Sequence, residues 1–230
     1  MVMATGGGNN PPSKTNPDIS WIYAASLTWL ELERYRQVRT LDPNRPPRLA
    51  IACRQEADKG TDIVIRSLPE LVKRFPGVHL EVVGDGSALD AFKRLAASLN
   101  VSDLVSFSGW VDHAGVMERL SAADIFCYPT TASEGFPKVV LEALACGLPV
   151  VTTRVSVLPE LVGERCGVLL ESADPVELAA AVTVVLSDPE KYSFISQNAV
   201  SEAQKYSLEA WAEAIGEKLA QSWGALRRDA

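Results

Sequence analysis

Two glutamates eight positions apart, Glu134 and Glu142, flank the run Gly135-Phe136-Pro137-Lys138-Val139. A proline just ahead of an apolar helical pattern suits the first helical position, where its missing NH costs nothing and its φ is already helical. The NH groups of Lys138 and Val139 then lack intrahelical partners and lie at the positive end of the helix. The preceding Glu-Gly-Phe turn lets a ligand approach that backbone, so the expected chemistry is anion binding, above all of phosphate. Carboxylates on both sides of a phosphate site suit a ligand with hydroxyls at each end of its phosphates. A nucleotide sugar has that shape.

A second cluster, Cys53-Arg54-Gln55-Glu56-Ala57-Asp58-Lys59-Gly60, follows a short apolar run and precedes a helical pattern. Arg54 and Lys59 sit at the expected carboxyl end of a strand and are placed to converge on one diphosphate, the guanidinium as a fork and the ammonium as a point charge. Neutralising a departing diphosphate is what cleavage of a sugar–phosphate bond requires. No DxD-like carboxylate pair accompanies these cations, so no metal and no cofactor is expected beyond the nucleotide sugar itself. Gly84-Asp85-Gly86 lacks the spacing of a dinucleotide fingerprint, which argues against NAD.

These loops need a scaffold that brings strand ends together. Six β-rich runs, RLAIAC, VHLEVVG, LVSFSG, DIFCYP, LPVVTT and GVLL, alternate with longer helical patterns from Arg48 onward. That alternation predicts an α/β domain with a parallel sheet of about six strands and helices on both faces. Thr61 is expected to cap a helix carrying Val64, Leu68, Leu71, Val72 and Phe75 on one stripe. Asp174 ahead of Pro175 and Glu177, Asp188 ahead of Pro189, and Ser207 mark three further helix starts.

The remaining chain divides into a flexible tail over 1–18, a helical segment and linker over 19–47, the ligand-binding domain over 48–223 and a short tail over 224–230. Within the second of these, Trp21, Trp29 and Tyr35 either pack on the domain or form a face for a partner or a membrane surface. The last helix, carrying Trp211, has the 19–40 segment, another subunit or solvent as its available neighbours. With 22 basic and 29 acidic residues among 230, the net charge of −7 excludes a dedicated nucleic-acid binder. The longest apolar stretch, near residues 19–30, is too short and too interrupted to span a bilayer. Cys53, Cys127, Cys146 and Cys166 form no CxxC pair and read as free thiols in a reducing, cytoplasmic setting.

In order along the chain, Cys-Arg-x4-Lys-Gly, VVGDGS, FSGWV, AADIFCYPT, EGFPKVVLEALACGLPVV, LPELV and CGVLL resemble the donor-binding half of the group 1, family 4 retaining glycosyltransferases. The resemblance runs from about Leu49 to Leu219 and implies one Rossmann-like half of a GT-B fold. It implies that Glu134 meets the transferred sugar and Glu142 the ribose, as the family's Glu-x7-Glu element. Arg54, Lys59 and the helix-end NH groups would hold the diphosphate, the backbone at Trp110 and Val111 would face the base, and Gly84 would line the cleft. It also implies sugar transfer with retention, without an obligatory metal.

Three departures matter. Cys53 replaces a usual glycine beside the donor, Val155-Ser156-Val157 replaces a usual glycine pair, and an acceptor domain of ~150 residues does not fit ahead of Arg48. The partners this leaves open are a chain carrying the acceptor domain, or another copy of this chain in a homo-oligomer. The alternative is a non-catalytic module that binds nucleotide sugar and needs a partner for activity. Neither His79 nor His113 is assigned a catalytic role.

Overall fold

A computed structural model describes residues 2–4, 19–21, 23, 25–133 and 135–223. Six strands form one parallel sheet: β3 Arg48–Ala52, β4 His79–Val83, β5 Val105–Gly109, β6 Ile125–Tyr128, β7 Val150–Thr153 and β8 Gly167–Leu170. Each lies within a run expected from the sequence. Their spatial order is β5-β4-β3-β6-β7-β8. Numbered within the sheet, this is the 3-2-1-4-5-6 order of the Rossmann fold, with its reversal between β3 and β6, and ligands bind outside the strand carboxyl ends at such a reversal. Central strands β6 and β7 are buried at every position, as strands covered on both faces must be.

The covering helices are α2 Thr61–Arg74, α3 Leu89–Ser98, α4 His113–Ala122, α5 Lys138–Ala145, α7 Pro175–Leu186, α8 Pro189–Ala203 and α9 Leu208–Trp223, with a single turn α6 Leu158–Leu161 between β7 and β8. Three expected caps form. Asp174 accepts from the NH groups of Val176 and Glu177, Asp188 from that of Lys191, and Ser207 from that of Ala210. Thr61 does not cap α2. Gly60 occupies the cap in a left-handed conformation, and the Thr61 hydroxyl turns inward to donate to Gln55 Oε1 at 2.7 Å.

The segment ahead of the sheet departs from the helical expectation over 19–40. Val2–Ala4 (β1) and Ile19–Trp21 (β2) pair in parallel, so part of the expected tail is strand, and helix α1 is confined to Trp29–Tyr35. The start of α1 is fixed locally, by a capping box in which Thr28 and Glu31 exchange hydrogen bonds. Of the three aromatic residues, Tyr35 packs on the core while Trp29 is exposed, and the Trp21 side chain lies outside the described residues. Leu27 and Leu32 are fully buried in the core. The last helix meets the same segment: the Leu208 NH donates to the Leu27 carbonyl at 2.9 Å, and the Trp29 NH donates to the Glu209 carboxylate at 2.8 Å.

Glycine is required where strand ends crowd. Gly84, just after β4, has φ of +111°, and a Cβ there would lie 1.9 Å from the Cys53 carbonyl oxygen. Gly84→Ala should destabilise the chain by about 3 kcal/mol or more, since backbone strain and a backbone clash coincide. Urea unfolding of the variant checks this, and a loss under ~1 kcal/mol would show that the loop relaxes.

Candidate functional site

At the carboxyl ends of β3, β4 and β5, beside the start of α5, lies an open cavity of about 480 Å³. Its lining includes Cys53 and Arg54 after β3, Gly84 and Asp85 after β4, Trp110 and Val111 after β5, and Lys138, Val139 and Glu142 on α5. Seven of the residues singled out from sequence, Arg54, Gly84, Trp110, Val111, Lys138, Val139 and Glu142, thus share one wall-to-wall space. A larger cavity of about 730 Å³ opens at the opposite, amino end of the sheet beside Arg45 and Arg48. It holds none of these residues, and the strand topology favours the carboxyl end.

The loop after β3 is held by a residue that the sequence did not flag. Gln55 is fully buried, and its amide donates to the carbonyls of Val83 at 2.9 Å and Cys53 at 3.1 Å while its oxygen accepts from Thr61. Glu56 extends this brace to the neighbouring loop by accepting from the Ser87 hydroxyl and NH, contacts that hold its carboxyl below the usual range. Arg54 is thereby presented, exposed, from a loop pinned on both sides. Lys59 ends a short 3-10 turn, half-buried, and does not line the cavity. The β6 loop closes over that turn, with the Thr131 NH donating to the Asp58 carbonyl at 2.9 Å.

Helix α5 begins one residue later than the sequence suggests. Pro137 is its cap, with φ of −75° and ψ of 97°, and Lys138 is the first helical residue. The NH groups of Lys138 and Val139 still fall in the first turn, where helix geometry leaves them without intrahelical acceptors. Gly135 and Phe136 do not reach the cavity lining. The Phe136 ring packs instead against Tyr23 and Tyr206, at centroid distances of 5.8 and 5.6 Å. Glu134 lies outside the described residues.

Glu142 is only 6% exposed, and burial pushes its carboxyl above the usual range. The opposing pulls come from His113, Ser26 and Lys138. The Ser26 hydroxyl donates to Oε1 at 3.2 Å, and His113 Nε2 stands 3.3 Å from the same oxygen. His113, given no role from sequence, is the first residue of α4, where Asp112 caps the helix. No periodicity or spacing links positions 26, 113 and 142, so only the fold reveals this group.

The other sequence departures are local. Cys53 lines the cavity half-buried, and Ser156 takes φ of +53°, keeping a left-handed backbone although its residue type is not glycine. Among the described residues no cysteine is in a disulfide, and no cluster of three His, Cys, Asp or Glu side chains is arranged to hold a metal. No described helix is long and apolar enough to cross a membrane.

Residues 35–202 match the family model described as glycosyl transferases group 1. The chain is 33% identical over 181 residues to a GDP-mannose-dependent monoacylated alpha-(1-6)-phosphatidylinositol monomannoside mannosyltransferase of Corynebacterium glutamicum, covering 75% of this chain and 46% of that protein. It is 34% identical over 180 residues to a D-inositol 3-phosphate glycosyltransferase of Segniliparus rotundus, covering 76% of this chain and 40% of the relative. The chain thus spans less than half the length of either. In fold it is similar to HepE of Anabaena, solved in complex with UDP-glucose, with a TM-score of 0.76 at 23% identity over 88% of this chain and 57% of that one.

Proposed function

The chain belongs to the group 1 glycosyl transferases, and from that membership we propose that it forms the donor half of an enzyme transferring a sugar from a nucleotide sugar. The observation carrying this reading is the meeting of Arg54, the α5 amino end and Glu142 around one cavity at the sheet's reversal point. The guanidinium and the first-turn NH groups of α5 suit a diphosphate, the buried carboxylate suits ribose hydroxyls, and the backbone at Trp110 and Val111 suits a base. Lys59 is assigned to the diphosphate as a second cation that approaches when ligand is bound. Glu134 is assigned to the transferred sugar.

The name of the Corynebacterium glutamicum relative favours GDP-mannose as donor, and that of the Segniliparus rotundus relative favours an inositol phosphate as acceptor class. In the reaction, the bond between the anomeric carbon and the diphosphate oxygen breaks with its electron pair going to phosphate. An acceptor hydroxyl forms the new bond on the same face, and its proton passes to the leaving phosphate. Arg54, Lys59 and the helix-end dipole supply the charge neutralisation that a metal supplies elsewhere, so transfer is proposed to be metal-independent. Acceptor binding falls to a second domain, from a partner chain or another part of the protein. Four cysteines without a CxxC pair support a reducing, cytoplasmic location.

Calorimetric titration of the chain with GDP-mannose, GDP and UDP-glucose tests the reading. GDP and GDP-mannose should bind saturably, and Arg54→Ala combined with Lys59→Ala should weaken both by about 100-fold or more, from the loss of two charge-assisted contacts. Unchanged affinity in the double variant would remove the diphosphate from this loop. A folded chain that binds none of the three at millimolar concentration would overturn the donor-site reading.

A further inference from the structure

We propose that Ser26 and His113 are positioning residues for Glu142: they hold Oε1 and leave Oε2 to accept ribose hydroxyls, so the segment ahead of the sheet takes part in recognising the nucleotide. This rests on the reading of the cavity as a nucleotide site. Both contacts fall on a single carboxylate oxygen, at 3.2 Å from Ser26 and 3.3 Å from His113. Oε2 accepts no hydrogen bond from the described residues, although Glu142 is buried and lines the cavity. Oε2 is not among the buried polar atoms left without a partner, so it stands open to the cavity rather than sealed in the core. An oxygen left open toward a cavity, on a carboxylate whose other oxygen is fixed, accepts from a ligand at a defined angle.

Neither donor is a chance surface contact. Ser26 precedes the fully buried Leu27, whose carbonyl accepts from α9, and follows Tyr23, whose hydroxyl donates to the Lys205 carbonyl at 3.3 Å. Edge-on packing of Tyr23 against Tyr206, with ring centroids 4.9 Å apart, fastens the same stretch to the end of the fold. His113 is fixed by its place at the start of α4, where Asp112 accepts from the Gly115 NH at 2.8 Å. Two separately anchored elements therefore converge on one atom. Rotating the Glu142 carboxylate toward or away from the cavity breaks both contacts.

The test compares GDP with its dideoxyribose analogue by calorimetry on the full chain, using wild type, Ser26→Ala, Ser26→Thr and His113→Ala. Wild type should prefer GDP by about tenfold or more, from hydroxyl contacts to a carboxylate. Ser26→Ala and His113→Ala should each reduce that preference by roughly fivefold while leaving the analogue's affinity unchanged, and Ser26→Thr, which keeps the hydroxyl, should restore it. An unchanged preference in the alanine variants, or equal loss for both ligands, would overturn the positioning role while leaving the nucleotide site intact. Tighter GDP binding by Ser26→Ala would overturn it in another way, by showing that Ser26 competes with the ligand. Wild type binding both ligands equally would overturn the ribose role of Glu142 and this inference together, and no nucleotide binding at all would overturn the underlying reading.

Discussion

Replacing Arg39 by methionine should lower stability by about 3–5 kcal/mol, the range for leaving buried polar groups without their charged partner. Arg39 is 7% exposed and has no carboxylate among its hydrogen-bond partners. Its Nε donates to the Cys146 carbonyl at 2.6 Å, one terminal nitrogen to Ala123 at 2.7 Å and the other to Ser121 at 2.9 Å. These carbonyls belong to the last turn of α4 and to the residues that end α4 and α5. One guanidinium thus satisfies the negative ends of two helices, where a cation is favoured by the helix dipole as well as by the hydrogen bonds. Methionine fills much of the volume and offers no donor. At 2–4 °C per kcal/mol for a chain of this size, the thermal midpoint should fall by roughly 10 °C. Lysine should recover only part, because a compact ammonium does not span three carbonyls as a planar fork does. A methionine variant within ~1 kcal/mol of wild type in urea unfolding would mean that water replaces the guanidinium.

Glu142→Gln should act in opposite directions on stability and on binding. Burial raises the Glu142 carboxyl above its ordinary value despite His113, Ser26 and Lys138, so the ionised form is disfavoured in the folded chain. A group whose folded pKa is raised contributes its full stabilisation below the unfolded value and loses it as pH rises through the folded value. At neutral pH the wild type therefore carries a cost that glutamine removes. The ligand-free variant should melt higher than wild type at pH near 7, and the gap should close as pH falls below the ordinary carboxylate range. Glutamine still accepts from Ser26 and His113 through its oxygen, but it presents an NH2 to the cavity in place of Oε2. GDP affinity should fall by at least about tenfold, the loss expected when a charged acceptor of hydroxyl hydrogen bonds disappears. Scanning calorimetry at two pH values together with GDP titration checks both arms. A glutamine variant less stable than wild type at neutral pH would show that the His113 contact outweighs burial.

Opposed effects of this kind identify a residue kept for its ligand. A side chain retained for packing loses stability when altered, as Arg39 should, whereas a site residue in an apolar wall gains it. Three oxygen and nitrogen atoms from positions 26, 113 and 142 meet within hydrogen-bond reach, although they come from a loop and two helices.

The strands and most helix starts are readable from the chain because they are set by near neighbours. Two-residue and 3.6-residue periods fix which side chains share a face, and the Asp174, Asp188 and Ser207 caps close within three residues of themselves. Ordered motifs likewise pointed to Arg54, Gly84, Trp110, Val111, Lys138, Val139 and Glu142, which do share one cavity. Even the misplacement of Pro137 by one position leaves the same NH groups at the helix end. The Thr61 hydroxyl departs from its expected cap because it has a competing partner, Gln55, which is itself placed by the carbonyls of Val83 and Cys53.

What only the tertiary structure decided are the pairings of distant residues. Arg39 is buried, and the carbonyls that accept from its guanidinium, those of Leu120, Ser121, Ala123 and Cys146, lie 81 to 107 positions away. Ser26 reaches Glu142 across 116 positions, and Phe136 is drawn from the ligand side into an aromatic cluster with Tyr23 and Tyr206. Local periodicity carries no record of such contacts, because they depend on the strand order that brings β3 beside β6 and on the segment over 26–39 reaching the ends of α4 and α5. The sequence by itself therefore determined which charged and polar groups gather at the strand carboxyl ends, while the fold determined which oxygen of Glu142 meets Ser26 and His113.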